Sequence, residues 1–310
     1  MTDGVGDRVR AHAFAKINLT LRVTGVRPDR YHELRTVFQS IALHDTLVCR
    51  RTDAPFVFAC DDPGCAADAG NLVWRAAERI WAESGRRGGM RGAAVRLVKR
   101  IPMQAGLGGG SSDAAAALRA LAALWRVRLA PDRLRAIAAS LGADVPYFLE
   151  GGTALGLDRG DLLFPLPDLP PHWVVLVVPP FGVSTKEAFE WWEERGAGTM
   201  PGDDAGSAGE RGRDPATGGY AFPLRGLPAS ELVNDLQAPV TARHPEIGRL
   251  VLELERAGAA FAAMSGSGSA VFGLFRSRAA AERAAGRAAG RGRRVAVTRT
   301  IGRAKFRAGA

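Results

Sequence analysis

From Ala15 to Val23 the chain alternates, with Ile17, Leu19, Leu21 and Val23 apolar and Lys16, Asn18, Thr20 and Arg22 between them. A period of two residues predicts a half-buried β-strand. Lys16 and Asn18 share its polar face at a separation of about 7 Å, given about 3.3 Å per residue, so both can serve one ligand. Alone, the same pattern describes an ordinary strand with a solvated face. Ala93–Lys99 predicts a second strand, which runs through Pro102 into a glycine-rich loop ending at Ser111-Ser112. Asp113–Trp125 is rich in Ala and Leu and predicts a helix, so the order is strand, glycine loop, helix. Asp132, after Pro131, predicts the cap of another helix through Ser140, with Gly142 as its stop. That leaves Asp144 in a loop, because Pro146 disfavours helix at Val145.

Residues 152–172 read as Gly- and Pro-rich turns, followed by a buried strand at Trp173–Val178. The change of texture predicts two domains, 1–165 and 166–310. Gly196–Gly219 contains little that is apolar and reads as a flexible surface insertion. Glu246–Ala257 predicts a helix, and Ala270–Phe275 a strand that follows Met264-Ser265-Gly266-Ser267-Gly268-Ser269. No repeat period is evident.

At 310 residues, 46% hydrophobic and 24% charged, the chain has an ordinary globular composition. The net charge is +10, and only four of the 42 basic residues are lysines. The stretch from Arg283 to Arg307 is locally basic, which keeps a nucleic-acid partner open as a minor reading; an anionic substrate is equally well served by positive potential. Cys49, Cys60 and Cys65 form no CxxC pair and lie beside no His cluster, so they read as structural thiols and not zinc ligands. The first residues lack the pattern of a secretory signal, and no apolar run approaches the roughly 18 residues that span a bilayer. A cytoplasmic protein with no membrane partner is expected.

A glycine run that opens a helix exposes backbone N–H groups, and the helix dipole adds partial positive charge, which together suit a phosphate chain. The loop is not a common nucleotide motif: no Gly-Lys dipeptide occurs, and Ser111 stands where GxGxxG needs its third glycine. HRD and DFG are also absent. P-loop NTPases, Rossmann dehydrogenases and protein kinases are disfavoured.

The loop Pro102-Met103-Gln104-Ala105-Gly106-Leu107-Gly108-Gly109-Gly110-Ser111-Ser112 resembles the ATP-binding motif of the GHMP kinases. Ala15-Lys16-Ile17-Asn18-Leu19, Gly25 with Arg27-Pro28-Asp29, Tyr31-His32-Glu33-Leu34, Thr36-Val37-Phe38-Gln39, Leu141-Gly142-Ala143-Asp144-Val145-Pro146 and Met264–Gly268 follow in order. Together they resemble the branch of that family whose acceptor alcohol carries cytidine diphosphate. The resemblance implies a two-domain α+β fold with the active site in the cleft between domains. It implies phosphorylation, by ATP as co-substrate, of the tertiary 2-hydroxyl of a cytidylated methylerythritol, on the non-mevalonate route to isoprenoid precursors. Lys16 and Asp144 are implied as the catalytic pair, and Pro102–Ser112 as the ATP site. Tyr31 and Phe189 are implied to sandwich the cytosine, His32 to hydrogen-bond its edge, and Asn18 and Thr185 to touch the substrate. Mg2+ follows from ATP chemistry, with no ligands assigned.

The residue types suit that chemistry. An alcohol is a poor nucleophile, so a carboxylate within reach accepts its proton while an ammonium keeps the carboxylate ionised. Aromatic faces suit a planar base. Taken alone, Tyr31 and Phe189 would be core aromatics, and Asp235 reads as structural. Three departures from the family pattern stand out: Arg30 in place of Gly, Gln104 in place of a small residue, and Asp113 where Asn is frequent. Three rivals stay open: a mevalonate, homoserine or sugar kinase, against which Tyr31-His32 speaks, a binding protein that uses the basic tail, and a catalytically degraded homologue. Oligomeric state is not legible.

Overall fold

The structure is a computed structural model that describes residues 7–196, 232–290 and 292–310. All of the expected insertion except Gly196 lies outside the described residues. Two long antiparallel strands, β1 (Arg8–Val26) and β2 (His32–Pro55), form the spine of a six-stranded sheet. Strand β2 also pairs with β4 (Arg91–Val98) and β5 (Thr153–Leu157); β3 (Val57–Cys60) runs parallel to β4, and β6 (Leu162–Pro165) completes a hairpin with β5. A second, antiparallel sheet has the order β10-β7-β9-β8, from β7 (Trp173–Val178), β8 (Phe261–Met264), β9 (Val271–Phe275) and β10 (Arg294–Arg299). Helices α1 (Leu72–Glu83), α2 (Gly109–Trp125), α3 (Pro131–Leu141) and α4 (Tyr147–Glu150) belong to the first sheet's half. The others are α5 (Thr185–Glu194), α6 (Gln237–Arg243), α7 (Pro245–Arg256), α8 (Arg278–Ala288) and α9 (Arg303–Gly309).

The sheets share an apolar layer in which Ala15, Ile17, Leu19, Val37 and Ile41 meet Val174, Leu176, Phe272 and Leu274. A strand with such neighbours on one face and the site on the other has no solvated side. Lys16, Asn18 and Thr20 are accordingly buried, where strand alternation alone allows a wet face. Helix α2 is apolar nearly all round and sits in the interior of a separate cluster with α1, α3, α4 and the sheet, where its alanines permit close packing. Helix α7 turns Ile247, Leu250, Val251 and Leu254 inward, at helical spacing.

Three local expectations are corrected. Helix α2 starts at Gly109, one turn before Asp113, because Gly108 takes the left-handed conformation at its N-cap and turns the loop directly into the helix (φ 70°). Helix α3 is opened by Pro131 after Ala130 at the N-cap, since proline's fixed φ fits the first turn; Asp132 lies inside that turn and pairs with Arg135. Within residues 152–172 the expected turns contain the β5–β6 hairpin, reversed at Asp158 and Gly160, both with positive φ.

Candidate active site

A cavity of about 1340 Å³ is lined by β1, the glycine loop, the Asp144 turn, α5 and the 265–268 loop. Lys16 is among the side chains that line it. Its Nζ donates to Asn18 Oδ1 at 2.6 Å and to the Gly106 carbonyl at 2.8 Å, and it stands 3.6 Å from Asp144 Oδ2. Asn18 is aimed by its own amide: Nδ2 donates to Thr36 Oγ1 (2.7 Å), which donates to the Thr20 carbonyl (2.7 Å). The Asn18 oxygen is thereby left for the ammonium. Burial pushes the Lys16 pKa below its ordinary value, opposed by the Asp144 charge and hydrogen bond. The Asp144 side chain is 34% exposed toward the cavity, so a buried cation faces an accessible carboxylate.

The glycine loop is braced by the second Gly/Ser loop. Ser265 Oγ donates to the Gly106 carbonyl (3.0 Å), and Ala270 N donates to the Ala105 carbonyl (3.2 Å). Gly106 has φ 72°, and a Cβ there would lie 2.0 Å from the Ser265 carbonyl oxygen, so only glycine fits. Pro102, Met103, Gln104, Ala105, Gly106, Leu107, Gly108, Gly109, Gly110 and Ser111 all line the cavity. Ser112 does not: it is buried, and its hydroxyl donates to the Phe14 carbonyl at 2.7 Å, tying the helix start to β1. Below the loop, Lys99 Nζ bridges Asp45 Oδ2 (2.5 Å) and Asp113 Oδ2 (2.7 Å). Burial alone would lower the Lys99 pKa, and the two carboxylates more than reverse it. The departure at Asp113 thus sets two buried carboxylates against one ammonium.

At the other end, Tyr31 is 55% exposed, with the Arg159 guanidinium 5.2 Å from its ring centre. Phe189 stacks on His32 at 4.2 Å and 18°, and His32 Nε2 lies 2.8 Å from Glu193 Oε1. Tyr31, His32 and Phe189 all line the cavity, with His32 covering a face of Phe189. Thr185 lines the same cavity, with its hydroxyl 3.2 Å from Ser267 Oγ. Asp235 holds Val23 N at 2.9 Å and pairs with Arg22, a link from β1 to the segment before α6.

Sequence reasoning gave no role to Thr36, Lys99, Arg159, Glu193 or Ser265. Thr36 and Ser265 lie inside stretches that carried the resemblance; nothing local marks Arg159 or Glu193, which reach the site through tertiary packing. Among the described residues, no group of three or more His, Cys, Asp or Glu side chains is placed to hold a metal, and no helix is long and apolar enough to cross a membrane.

The profile of the GHMP kinases N terminal domain matches residues 71–152, which include the glycine loop and Asp144, and that of GHMP kinases C terminal matches 225–293, which include Ser265 and Gly266. Fold and site together define a small-molecule kinase of the GHMP class. A 4-diphosphocytidyl-2-C-methyl-D-erythritol kinase of Solibacter usitatus is 44% identical over 278 residues, 88% of this chain and 83% of its own. One of Moorella thermoacetica is 41% identical over 93% of this chain and 98% of its own. A crystal structure of 4-(cytidine 5'-diphospho)-2C-methyl-D-erythritol kinase matches with TM-score 0.72 at 34% identity, covering 95% of this chain and 100% of that one. Homoserine kinase from Cytophaga hutchinsonii, at 19% identity and TM-score 0.68 over 97% of each chain, shares the fold. The chain belongs to the 4-diphosphocytidyl-2-C-methyl-D-erythritol kinase family.

Proposed function

We propose that the protein, in the cytoplasm, transfers the γ-phosphoryl group of ATP to the 2-hydroxyl of 4-(cytidine 5'-diphospho)-2-C-methyl-D-erythritol, giving the 2-phosphate and ADP. The observation that carries the reading is the Lys16 ammonium, held by Asn18 and Gly106 and facing the open Asp144 carboxylate in the cavity that the glycine loop, Tyr31, His32 and Phe189 also line. Asp144 accepts the proton of the attacking hydroxyl, and Lys16 orients that hydroxyl and offsets the charge that gathers on the phosphoryl oxygens. The N–H groups at the start of α2 receive the ATP phosphates. Phosphoryl transfer depends chiefly on such positioning and charge neutralisation.

Magnesium would be held against the ATP phosphates by the Ser111 hydroxyl, which lines the cavity, with phosphate oxygens and waters completing an all-oxygen donor set that suits a hard cation. When bound, the ion neutralises phosphate charge. The cytosine enters between Tyr31 and Phe189 as the His32 ring leaves its stack on Phe189 and turns to the base edge. Asn18 and Thr185 contact the polyol; residues 1–165 carry the ATP loop together with Lys16, Asn18, Tyr31, His32 and Asp144, and residues 166–310 close over the substrate with Thr185 and Phe189.

ADP release with magnesium-ATP, measured against the cytidylated substrate, mevalonate, homoserine and galactose, tests the reading. Turnover with the cytidylated alcohol alone is expected. Asp144→Asn should fold normally and lose about 10²- to 10⁴-fold in kcat, the range of a general base, and Lys16→Ala should also be inactive. Wild-type turnover in Asp144→Asn would overturn the base assignment, and turnover with another alcohol would overturn the clamp.

A further inference from the structure

The last residues of the chain form part of the basic tail that the sequence leaves without a role, and they fold against the elements on which the two members of the reacting pair are mounted. Among the described residues, the Asp144 carboxylate has Lys16 as its one polar partner, so its position is inherited from the backbone on either side. On the C-terminal side that backbone is α4, a single turn, too short to sustain itself without tertiary contacts. Two residues of α9 supply such contacts. Arg307 pairs with Glu150 at the end of α4 (2.5 Å), and the Phe306 ring lies on Gly151 so closely that a Cβ there would be 2.2 Å from it.

The same ring touches the element that carries Lys16. Phe306 packs against Phe14, two residues before Lys16 on β1, with ring centres 5.4 Å apart. Phe306 is 1% exposed. Helix α9 is itself tied down at its start: Arg303 N donates to Asp168 Oδ2 (2.8 Å), Arg303 Nη2 to the Thr153 carbonyl (2.6 Å), and Ile301 N to the Ser40 carbonyl (2.9 Å). Ser40 Oγ in turn lies 2.7 Å from the Tyr147 hydroxyl of α4.

We infer that α9 is a positioning element for phosphoryl transfer, with Phe306 as the residue that fixes the Lys16 strand relative to the Asp144 turn. Phe306 meets neither substrate, and its effect runs through the spacing of the two reacting side chains. The inference rests on the reading of Lys16 and Asp144 given above.

The test uses the full-length chain and compares Phe306→Ala, Phe306→Leu and Arg307→Glu with the wild type for kcat, both KM values and melting temperature, normalised to folded protein. For Phe306→Ala, kcat is expected to fall on the order of 10²-fold, the cost of roughly 1 Å of misplacement, with both KM values within about twofold. Phe306→Leu should recover most of that loss. Arg307→Glu changes an exposed side chain, so it reports even where Phe306→Ala fails to fold, and a several-fold drop in kcat at constant KM is expected. In an Asp144→Asn background, Phe306→Ala should cost less than about threefold more, because coupled residues are not additive. Wild-type kcat in Arg307→Glu, a loss confined to KM, or a full additive loss in the double variant would overturn the inference. Full activity of Asp144→Asn alone would instead overturn the assignment of the reacting pair.

Discussion

Replacing Gly106 by alanine tests whether the two Gly/Ser loops fix the Lys16 ammonium. The backbone there has φ 72°, which costs an L-residue about 1–2 kcal/mol. The added Cβ would stand 2.0 Å from the Ser265 carbonyl oxygen. An ordinary carbon–oxygen contact is about 3.3 Å, and a backbone carbonyl cannot swing aside as a side-chain end can, so one loop must move by roughly 1 Å. Gly106 offers its carbonyl to both Lys16 Nζ (2.8 Å) and Ser265 Oγ (3.0 Å), so the movement carries the ammonium away from Asp144. A displacement of that size costs about 10²-fold in rate, or about 2.7 kcal/mol of barrier. The backbone strain lowers the melting temperature by roughly 1.5–3 °C, at about 1.5 °C per kcal/mol for a chain of 310 residues. ADP release at saturating magnesium-ATP and acceptor gives kcat, and a thermal melt gives the stability change. A folded Gly106→Ala enzyme with kcat within threefold of wild type would refute the reasoning.

Two further outcomes are expected. Phe189→Ala should raise KM for the cytidylated acceptor by roughly 5- to 160-fold, from about 1–3 kcal/mol of base stacking, and leave KM for ATP unchanged; equal changes in both constants would remove Phe189 from the acceptor site. Burial pushes the Asp113 carboxyl up to about 8, against the pull of Lys99 and with Asp45 adding to the rise. The folded chain then holds a proton that the unfolded chain releases near pH 4, so this group's contribution to stability falls as pH rises from about 4 to about 8. Asp113→Asn removes that slope, so urea melts at pH 5 and pH 8 should find the variant gaining on wild type at the higher pH. Parallel curves would contradict the shared-ammonium arrangement.

The parts of the site that were legible in the sequence are those written locally. A glycine run between a strand and a helix announces a phosphate cradle, and alternation along 15–23 puts Lys16 and Asn18 on one face. Two of the flagged departures prove conformationally telling, because Arg30 and Gln104 both adopt left-handed backbone, with φ 65° and 52°. Glycine fills such backbone without strain, so at position 30, where the family pattern has Gly, the pattern and the backbone agree that the turn is tight. What the sequence could not disclose depends on partners distant along the chain. Ser112 reads as a phosphate ligand until its hydroxyl is found on the Phe14 carbonyl. Phe189 reads as a base platform, and the structure stacks His32 on it under the hold of Glu193. The basic tail reads as a charged surface, although Phe306 within it is among the most buried aromatics of the fold.

The register of β1 explains how one strand serves both the core and the chemistry. Its pairing with β2 is irregular between Phe14 and Lys16 and again between Asn18 and Thr20, so the regular ladder between these points is Lys16, Ile17 and Asn18. Such irregularities re-aim side chains without ending the strand. Within the three residues alternation still holds: Ile17 enters the apolar layer with Leu176 and Phe272, and Lys16 and Asn18 point the other way into the cavity. An ammonium in that position has lost most of its water, and Asn18 Oδ1 and the Gly106 carbonyl replace it with fixed oxygens. The phosphate loop and the strand thereby set the cation's position, and Asp144 is left as the more exposed and accessible member of the pair. This asymmetry suits a carboxylate that must meet an incoming hydroxyl and a cation that must stay still.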